Sequence, residues 1–181
     1  AQEPQFVTKD QQTRKVFIEE LTGRNCGYCP GGQATVNNII SKNPGKVFTA
    51  NIHAAGYLSP NSYPNLTTQE GGEFFNVFYE FGIPAVCVNR STSSSQSVGE
   101  CESATNALLK ENAEVNVGGQ VVINPATRTA TITVEAYYTA DSKESSNYLT
   151  VMMLQDSILG YQNGAASNPA QVINGNYCHM H

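Results

Sequence analysis

An apolar run at Val16, Phe17 and Ile18 ends the polar, irregular stretch of residues 1–14, in which Gln5-Phe6-Val7 reads as an edge strand or a flexible arm. The run predicts a strand over 15–21, buried on both faces except at its acids. Side chains alternate along a strand, so Glu19 and Glu20 must point to opposite sides; which of the two is buried stays open. Val36, Ile39 and Ile40 then recur at i, i+3 and i+4, a helical stripe. Pro30 falls in the first turn of that helix, where its missing N–H costs nothing, and Asn43-Pro44-Gly45 ends it near residue 42. Gly31 and Gly32 weaken the first turn. Residues 46–53 form the next strand. Strand, helix and strand at this spacing make a βαβ unit, whose two strands are parallel neighbours.

Residues 54–66 carry Gly56, Pro60, Asn61, Pro64 and Asn65 and read as a long loop, either decorative or part of a binding surface. A helix over 68–81 follows, with Phe74, Val77, Phe78 and Phe81 on one face and Gly82 as its stop. Ile83-Pro84 turns into a strand over 85–89. A Ser-rich linker or hairpin tip leads to Ser97-Val98-Gly99-Glu100, a capping-box pattern. The helix it opens ends near residue 112 and turns Cys101, Ala104, Ala107 and Leu108 inward. The chain then changes character. Stretches 117–124, 128–139 and 147–155 are rich in β-branched and aromatic residues. Ala130, Ile132, Val134 and Ala136 alternate with polar positions, as in a half-buried strand, and Asn124-Pro125-Ala126-Thr127 makes a turn between antiparallel strands. Runs of this kind suggest half of a β-sandwich. Residues 156–175 read as one long loop, and the chain stops at what reads as the start of another strand. The pattern predicts an α/β domain over 1–113 and an incomplete antiparallel β-sandwich-like domain over 114–181.

Composition narrows the class. Of 181 residues, 40% are apolar and 14% charged, which suits a globular protein with a sizeable core. A net charge of −5 argues against a nucleic-acid partner, which calls for basic patches. Plentiful Asn, Ser, Thr and Gly with no Trp fit an exported protein. No run approaches the ~20 apolar residues of a membrane span. There is no signal peptide, and Ala1-Gln2-Glu3-Pro4 looks like a trimmed start, so a signal or a lipid-bearing cysteine is expected upstream. Five cysteines leave at least one free or paired with another molecule; an oxidising compartment would permit a Cys87–Cys101 bridge, but Cys87 in a buried strand also suits a small hydrophobe.

The chemistry concentrates in Cys26-Gly27-Tyr28-Cys29. Two cysteines at this spacing close a small disulfide ring, and a strand feeding them into a helix start lowers a thiol pKa, because unpaired amides and the helix dipole favour thiolate. Cys26 would be the exposed nucleophile and Cys29 the resolving thiol, with Arg24 as a cation that favours the thiolate.

An acid six positions before the first cysteine, at the end of an apolar strand, resembles the thioredoxin superfamily, and Glu20 falls there without a gap. Gly82-Ile83-Pro84-Ala85-Val86-Cys87-Val88 resembles the segment in which that superfamily carries a cis proline against the disulfide. More closely, Glu20-x-Thr22-Gly23-x-x-Cys26-x-x-Cys29-Pro30, Ile52-His53, Gly82-Ile83-Pro84 and Tyr177-x-His179-x-His181 resemble the thioredoxin-like outer-membrane lipoproteins of Bacteroidetes, the Omp-twenty-eight-like family. The resemblance implies a thioredoxin-like α/β domain followed by a β-domain. It implies dithiol–disulfide exchange without a cofactor, in which Pro84 shapes the docking groove and Glu20 moves a proton to or from Cys29. It also implies an extracytoplasmic place in the cell envelope, at the outer membrane or in the periplasm, with protein thiols or disulfides as partners and a lipid anchor as the only tie to a membrane. Asn25 before the pair and Gly27-Tyr28 within it depart from the better-known reductases and oxidases. The alternative is a surface or envelope binding lipoprotein, adhesin-like, whose cysteine pair is a structural disulfide and whose β-domain contacts a protein partner.

Other candidates have plainer readings. A buried Glu20 would have a raised pKa, suited to a proton shuttle; an exposed one would point to solvent or pair with Arg24. His53, ending a strand, reads as a hydrogen-bonded structural residue. His179-x-His181 offers only two ligands at a chain end, so no metal is assigned. Asn65-Leu66-Thr67 and Asn89-Arg90-Ser91 match the glycosylation sequon by chance, and the scattered tyrosines are ordinary.

Overall fold

The computed structural model describes residues 5–54, 56–59, 63–80 and 82–180. In chain order its regular elements are β1 (Val16–Thr22), α1 (Cys29–Lys42), β2 (Val47–His53), α2 (Gln69–Phe78), β3 (Ala85–Val88), β4 (Gln96–Ser97), α3 (Cys101–Leu108), β5 (Val115–Asn124), β6 (Thr129–Tyr138), β7 (Ile158–Gly160), β8 (Val172–Ile173) and β9 (Asn176–His179). They group into two units: Val16–Leu108 with the chain from Met152 onward, and the residues up to Lys15 with Leu109–Val151.

In the first unit a four-stranded sheet has the order β2-β1-β3-β4. β1 and β2 run parallel, from Val16 opposite Val47 to Thr22 opposite His53, as the βαβ spacing predicts. β3 and β4 are antiparallel additions. Flanked on both edges, β1 is the central strand, and Val16, Ile18 and Leu21 are buried with Val86 and Val88 of β3 and Val47 of β2. α1 lays Val36 and Ile39 against this core. It carries Pro30 in its first turn and ends where Asn43 returns its amide N–H to Ile40 O and its side chain to Ile39 O.

The remaining helices depart in detail from expectation. α2 starts as predicted, with Thr68 accepting from the Gly71 N–H, but stops at Phe78. Tyr79 turns extended and the Ser95 N–H takes the Phe78 carbonyl at 2.7 Å. Its aromatic face is only partly covered: Phe74 and Phe78 stack on each other with centroids 4.5 Å apart, Val77 is exposed, and Phe81 lies outside the described residues. The Ser97–Glu100 capping box is present and opens a 3₁₀ turn that runs into α3. α3 ends at Leu108 and buries Cys101, Thr105 and Leu108, at i, i+4 and i+7; Ala107, expected inward, is exposed.

The division expected between residues 113 and 114 gives way to an interleaved one. Residues 156–175, expected as one loop, include β7, β8 and two 3₁₀ turns, and β7-β9-β8 form a three-stranded antiparallel sheet. This segment belongs with α1 because its polar side chains find partners there. The hydroxyl of the buried Tyr177 lies within hydrogen-bond distance of the side-chain oxygens of Gln33 of α1 and Gln171, and Asn168 bonds both Gln171 and Tyr177.

In the second unit, β5 and β6 form one hairpin, in register from Val115 opposite Tyr138 to Asn124 opposite Thr129. The Asn124 side chain accepts from the Ala126 and Thr127 amides at the turn. The alternation is as read. One face holds Val115, Val117, Val121 and Ile123 beside Ala130, Ile132, Val134 and Ala136. What differs is the environment: Val117, Val121, Ile123 and Ile132 are exposed, not half-buried. The polar face is the contacted one. Glu135 accepts from the Gln5, Phe6 and Val7 amides, and Asn116 donates to Thr8 O and Asp10 O, so Gln5-Phe6-Val7 is a tethered arm rather than a strand. Residues 147–155, expected as a third strand, have no regular structure, because no strand pairs with them.

Candidate functional site

β1 delivers the site. It ends at Thr22, and a turn through Gly23, Arg24 and Asn25 carries the chain to Cys26, whose N–H donates to Gly23 O at 3.0 Å. Asn25 N–H donates to Leu58 O, and a Cβ at Gly23 would stand 2.5 Å from that same oxygen, so the turn fits closely against residue 58. Cys26 and Cys29 are joined by a disulfide with Cα atoms 5.5 Å apart, and Cys29 is the first residue of α1. The other three cysteines, Cys87, Cys101 and Cys178, are free and buried, so the optional Cys87–Cys101 bridge is not formed. Burial, first, pushes the Cys87 and Cys101 thiols up to about 11, far from nucleophilic use. Cys26, expected as an exposed nucleophile, keeps only 7% of its surface, while Cys29 is wholly covered.

Both acids of β1 are buried, on opposite faces as alternation requires. They meet different fates. Glu19 is gripped by the Arg90 guanidinium through Nε and Nη2. Glu20 has no hydrogen-bond partner on either oxygen. Desolvation therefore holds its carboxyl well above the usual carboxylate range. A charge there would raise the Cys101 thiol and the Tyr177 hydroxyl, which sets the carboxyl among α3, β9 and α1.

Pro84 follows a cis bond from Ile83, and Ile83 O lies 3.7 Å from Cys26 Sγ. The piece that sequence reasoning missed is Gly32. A Cβ there would stand 2.8 Å from Pro84 Cβ and 3.0 Å from Glu20 Oε1, so the first turn of α1 touches both groups only because this residue has no side chain. Its signal in the sequence was the apparent defect of glycine in a helix start.

Arg24 is buried and tied to two carbonyls: Nη1 donates to Pro64 O at 2.7 Å and Nε to Tyr161 O at 3.0 Å. Its charge bears on two histidines. His53, at the end of β2, meets His179 of β9 edge-on, with centroids 5.6 Å apart. Desolvation first, then His179 and Arg24, bring His53 down to about 3. Burial, against a bond to Tyr161 O and with Arg24 adding, brings His179 to about 4. Both rings are neutral at pH 7. A cation is unwelcome beside Arg24, and among the described residues no group of three or more His, Cys, Asp or Glu could hold a metal. His181 lies outside the described residues.

The arrangement is a disulfide at a helix start, a cis Ile83-Pro84 bond whose Ile83 oxygen lies beside the first sulfur, and an unpartnered buried carboxyl against the helix. The disulfide can accept two electrons with no other group. No helix among the described residues is long and apolar enough to cross a membrane. No family model and no curated protein matches the chain. Among solved structures, HBP35 of Porphyromonas gingivalis is similar with a TM-score of 0.62 and 21% sequence identity over 93% of this chain, which spans 55% of that protein's length. A protein from Agrobacterium tumefaciens is similar only at a TM-score of 0.39 and 13% identity, over 72% of this chain and 71% of that one. The likeness to HBP35 is one of fold, and with the β2-β1-β3-β4 sheet and its flanking helices it makes this a thioredoxin-like α/β protein with additional small antiparallel sheets.

Proposed function

We propose that this chain is a thiol–disulfide oxidoreductase-like protein of the bacterial cell envelope, working outside the cytoplasm on protein thiols through Cys26 and Cys29. The observation that carries this reading is the unpartnered Glu20 carboxyl beneath the disulfide-bearing helix. A purely structural disulfide has no use for a buried acid that weakens the fold. The Glu20, Cys26-x-x-Cys29-Pro30 and Ile83-Pro84 motifs, and a fold shared with a protein of a Bacteroidetes bacterium, support membership of the Omp-twenty-eight-like lipoproteins and an envelope location.

In the step the geometry supports, a thiolate of a dithiol substrate attacks Cys26 Sγ in line with the S–S bond. A mixed disulfide forms, and the S–S electron pair leaves on Cys29. The Glu20 proton passes to the Cys29 sulfur and is replaced from solvent. The second substrate thiolate then attacks the substrate sulfur of the mixed disulfide and Cys26 departs as thiolate, so two electrons have moved from substrate to protein. The backbone amides at the start of α1 favour that thiolate. Equilibration in graded thiol–disulfide buffers, followed by alkylation and mass analysis, tests the reading. A reversible midpoint between about −120 and −270 mV is expected; a bridge that stays closed below about −300 mV would mark it as structural.

A second reading draws on one observation, the bare apolar face of the β5–β6 hairpin. On that reading the thioredoxin-like unit is a platform and the hairpin face contacts a protein partner in the envelope.

A further inference from the structure

The Cys26 loop is held from outside itself. Residues 161–164, in the turn after β7, reach every residue from Gly23 to Gly27. Gln162 Nε2 lies 3.1 Å from Gly23 O and 3.0 Å from Cys26 O. The Asn163 backbone N–H donates to Arg24 O at 2.8 Å, and its side-chain Nδ2 donates to Asn25 O at 3.1 Å. Four consecutive carbonyls of the loop are thus taken by two adjacent residues. Gly164, at φ +73°, comes so close that a Cβ would stand 1.9 Å from Gly27 O. In the other direction, Arg24 Nε donates to Tyr161 O, which is also 3.2 Å from His179 Nε2. The turn is rooted at both ends: β7 before it pairs with β9, and Asn168 after it bonds the Tyr177 hydroxyl, which in turn reaches Gln33 of α1.

Attack on a disulfide needs a nucleophile in line with the S–S bond, on the far side of the sulfur attacked. Cys26 is the sulfur available for this, and it is 7% exposed. A loop with four consecutive carbonyls fastened cannot turn Cys26 outward without releasing them. We propose that Tyr161–Gly164 is a latch on the disulfide loop: closed, it withholds Cys26 Sγ from incoming thiolates, and its opening admits them. The segment that the sequence places some 135 residues away is then the gate of the redox site. Gln162 and Asn163 act through the loop and are positioning residues. The latch's use as a gate rests on the redox reading proposed above; its existence does not.

Reduction by tris(carboxyethyl)phosphine tests it on the full chain, independently of midpoint. The phosphine attacks Cys26 Sγ, the S–S bond breaks with its electron pair on Cys29, and water supplies the oxygen that ends on phosphorus and the protons that end on the two sulfurs. The Gln162→Leu/Asn163→Ala double variant, its fold checked by circular dichroism, should be reduced about tenfold faster than wild type, equivalent to about 1.4 kcal/mol of latch stability. Gly164→Ala, which drives a methyl into Gly27 O, should act in the same direction. Folded variants reduced at the wild-type rate would overturn the proposal. Should the variants fail to fold, the wild-type chain decides. Sub-denaturing urea should raise its reduction rate in parallel with hydrogen exchange at the Asn163 amide, while β1 amides stay protected; a flat reduction rate against rising Asn163 exchange would overturn it. A midpoint below the oxidoreductase range combined with a faster-reduced variant would remove the redox reading and leave the latch. An in-range midpoint with unchanged rates would do the reverse.

Discussion

Gly32 shows how one residue sets the spacing of the site. Gly32→Ala in an exposed helix would gain about 1 kcal/mol from propensity. Here its methyl would stand 2.8–2.9 Å from two carbons of the Pro84 ring, which is rigid and flanked by a fixed peptide. Overpacking of this kind costs about 1–3 kcal/mol, so the clash wins, and urea unfolding should show Gly32→Ala less stable than wild type by about 1 kcal/mol. Glu20 approaches the same glycine, its Oε1 3.0 Å from where that methyl would stand. Its folded-state pKa is raised, so the folded protein holds a proton that the unfolded chain gives up as pH passes its ordinary value of 4.5. With more protons bound in the folded state, stability falls as pH rises from there toward the folded pKa. Glu20→Gln, which cannot ionise, should therefore stabilise the fold more at pH 8 than at pH 4; an equal effect at both would mean that the carboxyl is solvated. The place of Glu20 was legible because its spacing from Cys26 and the apolar run before it are both in the sequence, although alternation left open which acid of β1 is buried. Gly32 was not, because nothing in a helical pattern says what the glycine face will meet.

At the scale of elements, the two acids of β1 divide the labour of the strand. Glu20 faces the disulfide side without a partner, while Glu19 on the other face is neutralised by Arg90, in the turn after β3. The guanidinium also lies 5.0 Å from the Phe74 ring and 5.5 Å from that of Phe78, so one side chain joins β1, the β3 turn and α2. Breaking a buried ion pair from one side costs about 3–5 kcal/mol, and because Arg90 is itself partly exposed the lower end applies. Arg90→Ala should lose about 3 kcal/mol, and the Glu19→Gln/Arg90→Ala double variant should recover part of it, by denaturant melts. The aromatic stripe of α2 is shared in the same way: periodicity puts Phe74 and Phe78 on one face, where they meet each other and Arg90. The buried thiols lie on opposite sides of the sheet, Cys87 by Glu19 and Cys101 toward Glu20. With Cys87 and Cys101 both near 11, iodoacetamide at pH 8 should label neither in the folded chain, before or after the disulfide is reduced, while Cys26 becomes reactive on reduction. Mass analysis of the alkylated peptides reads this directly.

For the molecule as a whole, the chain's path is what local pattern could not show. The βαβ start, the cysteine motif and the β5–β6 hairpin were all readable, since each is encoded within a few turns of chain. The return of residues 152–180 to the thioredoxin-like unit depends on Tyr177 meeting Gln33, and on Gln162 and Asn163 meeting the Cys26 loop, across more than 130 residues that carry no local signal of the match. The hairpin is the opposite case, clear in pattern and unexpected in setting. Its tethered arm satisfies the polar face through Glu135 and Asn116, and its apolar face is left in contact with solvent, with Ile123 71% exposed. Replacing Val121, Ile123 and Ile132 together by Thr keeps β-branched side chains, and so keeps strand propensity. Since these side chains bury little, the triple variant should unfold within about 0.5 kcal/mol of wild type for each site changed, while binding less of an apolar dye such as anilinonaphthalene sulfonate. A loss of several kcal/mol would mean that the face is covered in solution. Sedimentation of both proteins would then separate a second copy, which leaves with the variant, from cover within the chain, which does not change the mass.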